Sequence, residues 1–526
     1  MPNRAALDYE DRSAASDDTG IFLYDDPEND LQGDNDMYCI LLSIFFPIFA
    51  GLFLLIRYRT PLSGERKNKE RKPLLLFTGT FLIITALFTA TALLTAGEGF
   101  TLFYLTGTLP IYFKIDAVGS LFSLLAVIVL VCAGFFSFAY MKHEEREGRY
   151  YGFYLMVFGV LNALCFAGNL ITFYLFFELL TLSSMPLVLH TGSKEAVMAG
   201  LKYLFYSLCG AYAALFGVYF LYRNSETLTF TAGGVLKASA VAEHGGFLLV
   251  VAFIMVLGFG VKAGMFPMHA WLPTAHPVAP APASAVLSAM IVKAGVLALI
   301  RVTNLFGADF LRGTWMQTAW ICLTLITVFM GSLLAFREPV LKKRLAYSTV
   351  SQLSYILFGL AVMQEDAFRG SLLHVLAHGF VKAVLFLCAG AFIYCTGKTR
   401  VDELRGIGRR MPLTLWCFTI ASLGLIGIPP TGGFVSKWYL ALGSLKSGIP
   451  ILGVLGPIVL LVSALLTAGY LLPITVHGFF PGADYEGEHQ KKQEPSKWMT
   501  IPIVIMTILS VLIGLFPNAV FLYMTQ

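Results

Sequence analysis

Six ionisable side chains stand inside runs of apolar residues long enough to cross a lipid bilayer. Glu178 lies in NLITFYLFFELLTLSSMPL, Lys262 in GFGVKAGMFP and Lys293 in AVLSAMIVKAGVLALI. His374 and His378 lie in HVLAHGFVKAVLFL, and Lys437 in GGFVSKWYL. A charged group at the centre of a membrane helix costs at least about 2.5–3.5 kcal/mol, so such residues mark function by default. At about 1.5 Å of rise per residue, Glu178 sits roughly 13 Å into its run, and Lys293 is placed similarly. His374, His378 and Lys382 are spaced i, i+4, i+8, which puts all three on one helix face.

These residue types suit proton transfer. Burial disfavours the charged form of an amine, so a buried lysine can lose and regain a proton near neutral pH. A carboxylate that moves toward or away from it, as Glu178 could toward Lys262, would switch that affinity. Neutral histidine both accepts and donates, as a relay requires. The blander readings differ by position. Lys202, Lys262 and Lys382 could snorkel to the interface, which Lys293 and Glu178 are too deep to do. The histidine pair could simply pack. A metal site lacks a completing carboxylate or cysteine. The eight cysteines form no C-x-x-C pair and mostly lie in apolar runs. They read as packed thiols, with no cofactor expected on this chain and any electron transfer assigned to another.

The elements that position these residues are membrane helices. Of the 526 residues, 57% are hydrophobic and 13% charged, with a mean hydropathy of +0.73. A soluble chain carries about 25% charge. The fold class is therefore an all-α polytopic membrane protein. Fourteen apolar segments are expected, near 37–57, 73–96, 116–140, 151–167, 169–191, 201–223, 247–268, 284–303, 315–336, 346–364, 368–395, 412–447, 450–476 and 498–520. The seventh runs into Pro267, Pro273, Pro277, Pro280 and Pro282, and the twelfth contains GIPPTGGF. Proline frees helix carbonyls, which are tolerated at membrane depth only when covered by protein or facing a wet cavity. Two such breaks five segments apart predict inverted repeats. The expected organisation is three N-terminal helices (37–140), a first repeat of helices four to eight (141–303), a second of helices nine to thirteen (304–476), and a loop with helix fourteen (477–526). Gly260 and Gly264 are expected to let two helices approach closely.

Residues 1–36 hold eleven Asp/Glu against two Arg. They read as a disordered acidic extension rather than a signal peptide, and Met37 is an alternative start. RYRTPLSGERKNKERK, FREPVLKKRL and GKTRVDELRGIGRR each follow an odd-numbered segment. The positive-inside rule then puts both termini outside a multi-pass protein of the cell (plasma or inner) membrane. No nucleotide, nucleic-acid or nucleophile–base motif stands out. GFGVKAG lacks the strand and glycine spacing of a phosphate loop.

The pattern resembles the antiporter-like subunits shared by respiratory complex I, membrane-bound hydrogenases and Mrp-type sodium/proton antiporters, over about residues 110–450. The resemblance rests on FFELLTLSSMPLV, GVKAGMFPMHAWLPTAHPVAPAPASAVLSAMIVKAG, KRLAYSTVSQLSYI, HVLAHGFVKAVLFLCAG and GIPPTGGFVSKWYL, and is nearest to the D-type Mrp component and its hydrogenase-associated relatives. It implies fourteen helices with two inverted five-helix repeats. It also implies a relay of Glu178 (fifth helix), Lys262 (seventh), Lys293 (eighth), His374 and His378 (eleventh) and Lys437 (twelfth). The partners it implies are other membrane subunits, homologous antiporter-like ones among them, and the lipid bilayer. Protons would be the ion moved, and sodium, if carried, would pass elsewhere in the complex. The expected function is proton translocation coupled to a redox reaction. The alternatives are an Mrp antiporter component driven by ion gradients and an inactive spacer, and the intact ionisable series argues against the spacer.

Overall fold

The computed structural model describes residues 27–60, 64–95, 97–482 and 492–525. Most of the acidic extension, residues 1–26, lies outside them, as does part of the loop before the last span. The helices are α1 (Pro27–Arg57), α2 (Gly64–Leu94), α3 (Ala117–Tyr140), α4 (Glu147–Cys165), α5 (Leu170–Val188), α6 (Lys194–Asn224), α7 (Ala238–Gly260), α8 (Leu272–Val278), α9 (Ala281–Val286) and α10 (Lys293–Phe306). They continue as α11 (Ala308–Leu311), α12 (Trp315–Arg337), α13 (Leu341–Val362), α14 (Glu365–Thr396), α15 (Ile407–Arg410), α16 (Pro412–Ile426), α17 (Gly432–Lys446), α18 (Leu452–Phe479), α19 (Lys497–Leu515) and α20 (Pro517–Thr525).

Among the described residues, twelve helices are long and apolar enough to cross a membrane. The less apolar α4 and the interrupted pair α16–α17 bring the spans to the fourteen read from the sequence. Polar caps start several of them. Asp116 accepts from Gly119 N at the head of α3, and Asn169 accepts from Thr172 N at the head of α5. The apolar faces of α1, α2, α6, α18 and α19 point outward, while α10, α13 and α14 are enclosed on nearly every side. A helix hydrophobic all round is a buried helix, and these three carry much of the ionisable set.

One stretch departs from the helical expectation. GFTLFYLTGTLP, between the second and third spans, forms a hairpin of β1 (Phe100–Thr106) and β2 (Leu109–Phe113), paired antiparallel from Phe100↔Phe113 to Thr106↔Leu109. Runs rich in Phe, Tyr, Thr and Ile on either side of the two residues Gly107 and Thr108 are a hairpin signal. The hairpin is tied to α5: Tyr112 N donates to Thr172 Oγ1 at 2.8 Å, and Asn169 Nδ2 to Pro110 O at 2.9 Å.

Both expected breaks are present. After α7 the chain runs through turns from Val261 to Trp271, with Gly264 at φ +70°, before the short α8 and then α9. The second break separates α16 from α17, with Gly427 at φ +93°. A third irregularity has no proline to announce it: residues Leu287–Ile291 form a π-turn between α9 and α10. The expected roles of Gly260 and Gly264 are not observed. A Cβ on Gly260 would meet the Met265 side chain, and Gly264 serves a turn. The close helix approach is instead Gly210 on α6 against Gly258 on α7, where an added Cβ would lie 2.4 Å from the Gly258 carbonyl oxygen.

Candidate functional site

The first cluster joins α5 to the break after α7. Lys262 is buried in the first turn of that break. Its Nζ donates to the Phe177 carbonyl at 2.9 Å and to Thr181 Oγ1 at 2.7 Å, and lies 4.0 Å from the Phe177 ring centroid. Glu178 is half-buried on α5, next in sequence to Phe177. Its Oε1 is buried without a hydrogen-bond partner, and no ion pair between Glu178 and Lys262 forms among the described residues. The expected Glu–Lys couple is therefore adjacent through Phe177 but open.

The second cluster crosses from α10 to α17. The Lys293 Nζ donates to the Ala289 carbonyl inside the π-turn at 2.6 Å and lies 3.0 Å from His378 Nδ1. The His378 and His374 rings stack at 5.9 Å, one helical turn apart on α14. His374 Nδ1 lies 2.8 Å from Ser436 Oγ on α17, and the Nε2 atoms of both histidines are buried without partners. His374 also stacks on Tyr355 of α13 at 5.7 Å. The Nζ of Lys437 lies 5.0 Å from the centroid of that same Tyr355 ring. That ammonium donates to the Leu425 and Ile426 carbonyls at 2.6 and 2.8 Å, the last residues of α16 before the second break.

Lys293, His374, His378 and Lys437 thus form one contiguous set, as the i, i+4 spacing suggested. Lys262 and Glu178 stand apart from it, since among the described residues no hydrogen bond joins Lys262 to Lys293. Their backbones are nonetheless in tight contact. A Cβ on Gly295 would lie 2.7 Å from Ala263 N, so α10 presses directly on the segment that holds Lys262.

A second row lies beside this set, and of its members the sequence spacing singled out only Lys382. Lys342 on α13 donates to the Ala279 carbonyl at 2.7 Å, an acceptor left open where α8 ends in extended backbone at Ala279. His276 is buried against Phe386 with ring centroids 4.6 Å apart, and both its ring nitrogens lack partners. Lys382, which shares the histidines' face, donates to the Leu345 carbonyl at 3.0 Å and contacts Ser348 Oγ. A cleft of about 230 Å³ lined by Tyr140, Glu144, Pro277, Ala279, Lys342 and Thr399 opens beside Lys342. As sequence, LKKRL reads wholly as a basic loop. Its first lysine instead begins α13 with the side chain pointing inward, which only the packing of α13 against α8 decides.

These features define a polytopic antiporter-like membrane subunit. The chain belongs to the NADH:quinone oxidoreductase/Mrp antiporter transmembrane family, which matches residues 167–467. It is 34% identical over 387 residues to NADH-quinone oxidoreductase subunit N of Desulforudis audaxviator, covering 71% of this chain and 75% of that one. It is 30% identical over 418 residues to the D-type component of a Na(+)/H(+) antiporter of Bacillus subtilis, covering 78% and 81%. Its fold matches a chain of the archaeal membrane-bound sulfane sulfur reductase complex with a TM-score of 0.79 at 23% identity, covering 92% and 96%. These relatives are subunits of multisubunit membrane complexes.

Proposed function

We propose that this chain is a proton-translocating subunit of a multisubunit complex in the cell membrane, with both termini on the outer side and homologous antiporter-like subunits among its neighbours. The observation that carries the reading is the series Lys293–His378–His374–Ser436. It crosses from the eighth span to the twelfth along a helix with almost no lipid-facing surface.

In this mechanism a proton enters from the inner, basic-loop side through the cleft at Lys342 and passes by His276 and Lys382 to the central set. Lys293 yields its proton to His378 Nδ1, and His378 passes it to His374. The ring spacing of 5.9 Å is too long for a direct bond, so ring rotation or a bridging water completes that step. His374 then passes it to Ser436, and Lys437 takes it at the second break, where the path opens outward. Glu178 sets the proton affinity of Lys262 by approaching or leaving it, which ties the first half of the chain to the second. Segments four to eight and nine to thirteen act as the two inverted repeats, with half-paths that open to opposite sides.

Coupling to a redox reaction is the primary reading, supported by the likeness to a quinone oxidoreductase subunit. A place in an ion-gradient antiporter is the second, supported by the likeness to the Na(+)/H(+) antiporter component. The deciding experiment is the double variant His374→Phe, His378→Leu in the assembled complex, assayed by acidification of inverted vesicles. Loss of proton transport with normal assembly is expected, with partial recovery when Gln replaces His378. Full transport would overturn the relay.

A further inference from the structure

A groove of about 1030 Å³ runs between α2, α3 and α19, away from the ionisable set. One end carries Arg71, Lys72, Lys142 and Ser496. The remainder is mostly apolar, lined along α2 by Leu75, Leu76, Ile83 and Ile84 and across from it by Phe135, Phe138 and Trp498, with Thr80 the one polar residue of α2 among them. Gly79 leaves room in its floor. A Cβ there would meet only the Phe135 and Phe138 rings, at 3.5 Å or more, so the missing side chain is what leaves the space.

The polar end lies at the edge of the membrane. Lys72 lies in the first turn of the second span, Lys142 in the last turn of the third, and Trp498 in the first turn of the last. Trp498 packs on Phe135 and Phe138 at 6.0 and 5.9 Å, as an aromatic belt residue does at the head-group level. The same end adjoins the most basic loop of the chain, which faces the inner leaflet by the positive-inside rule. Arg71 is held by Glu147 at 2.9 Å and by the Phe138 carbonyl, and Glu70 is paired with Arg57 at 3.0 Å. Lys72 and Lys142 are exposed at the rim. From Lys72 to Ile84 the groove follows α2 for roughly 18 Å at about 1.5 Å per residue, the reach of one long acyl chain.

We infer that this groove is a binding site for an anionic phospholipid. Its phosphate is gripped by Lys72 and Lys142, and one acyl chain lies along Leu75, Gly79 and Ile83 against Phe135, Phe138 and Trp498. A transmembrane helix of another subunit would also cover apolar surface, but it brings no phosphate to two lysines at the interface. An anionic lipid satisfies both ends at once, because basic residues near the membrane surface attract anionic head groups. The inference does not depend on the transport reading.

The test uses the intact purified complex, stripped of loosely held lipid and titrated with dioleoyl phosphatidylglycerol or dioleoyl phosphatidylcholine, with bound lipid counted by native mass spectrometry. One phosphatidylglycerol should be retained per chain with at least about tenfold preference over phosphatidylcholine. Lys72→Gln with Lys142→Gln should remove the preference, and Gly79→Leu should reduce retention of both lipids. Photocrosslinking from a benzoylphenylalanine at position 498 should mark lipid. Equal retention of the two lipids by the wild type, an undiminished preference in the double lysine variant, or crosslinks to another protein subunit in place of lipid would overturn the proposal.

Discussion

A buried ammonium needs oxygen acceptors, and here irregular helix backbone supplies many of them. Lys293 donates to a carbonyl of the π-turn, Lys437 to the last carbonyls of α16, and Lys342 to the Ala279 carbonyl, where α8 ends in extended backbone. Such acceptors hold the proton-bearing group without committing a carboxylate to a permanent ion pair, so the amine can still release its proton. A guanidinium keeps its proton and needs more space and more acceptors. Lys293→Arg and Lys262→Arg are therefore expected to lower proton transport at least about tenfold while the complex still assembles, as judged by native gel and vesicle acidification. Lys293→Ala should do the same and also lose some stability, because it leaves the Ala289 carbonyl and His378 Nδ1 without their partner, at about 1–3 kcal/mol. Transport by Lys262→Arg at the wild-type rate would remove that residue from the path.

At the scale of the elements, two glycines set the spacing on which the site depends. Gly427 combines a φ of +93° with a position where an added Cβ would stand 3.1 Å from Lys437 Cδ. Gly427→Ala should destabilise the complex by about 1 kcal/mol or more and also impair transport. Comparing the thermal midpoint with transport per assembled complex would separate the two effects. Gly295→Val should push α10 away from the Lys262 segment and lose transport more steeply, because its neighbours there are backbone atoms. A pH effect belongs to this scale too. His190, beyond the end of α5, is buried against Tyr150 with ring centroids 5.4 Å apart. Burial, and then the charge of Arg149, push its ring down to about 4. The unfolded chain binds that proton near 6.5. The stability contributed by the neutral ring is therefore complete above about pH 6.5 and lost as pH falls toward 4. The thermal midpoint should drop between about pH 7 and about pH 5, and His190→Phe should flatten that dependence.

At the scale of the whole molecule, the proposed ion is the proton rather than a metal cation. A dehydrated sodium ion needs several oxygen ligands, whereas the central set presents ammonium and imidazole nitrogens. Proton transport through this chain should persist without sodium. Any sodium affinity of the complex should be insensitive to Lys262→Ala, which isotope uptake into vesicles would check. Sodium binding that falls with Lys262→Ala and survives Glu178→Gln would reverse this reading. The buried Arg301 on α10 forms an ion pair with Asp116 at the head of α3, with Nη2 to Oδ1 at 2.9 Å, and joins the N-terminal helices to the first half of the core. Asp116→Asn should weaken that joint and lower the thermal midpoint without altering which ion is carried.

Hydropathy located most of the spans, because a bilayer imposes one length on every crossing, and proline alone located both breaks, because it cannot complete the helical ladder. The i, i+4 spacing of His374 and His378 already puts them on one face. Other features depend on packing. The π-turn before Lys293 carries no proline or glycine signal and lies where α9 and the turn itself are wedged between α3 and α14. The hairpin at residues 100–113 lies in a segment whose most visible trait is its scarcity of basic residues. Lys342 reads as a loop cation until α13 turns it toward the carbonyls behind α8, and Tyr355 and Ser436 read as ordinary span residues until α13 and α17 close on His374. Local sequence reports what a segment can form by itself. Which side chains meet across helices is decided by close contacts between distant segments, such as Gly295 against Ala263 and Gly427 against Lys437, and those exist only once the helices have packed.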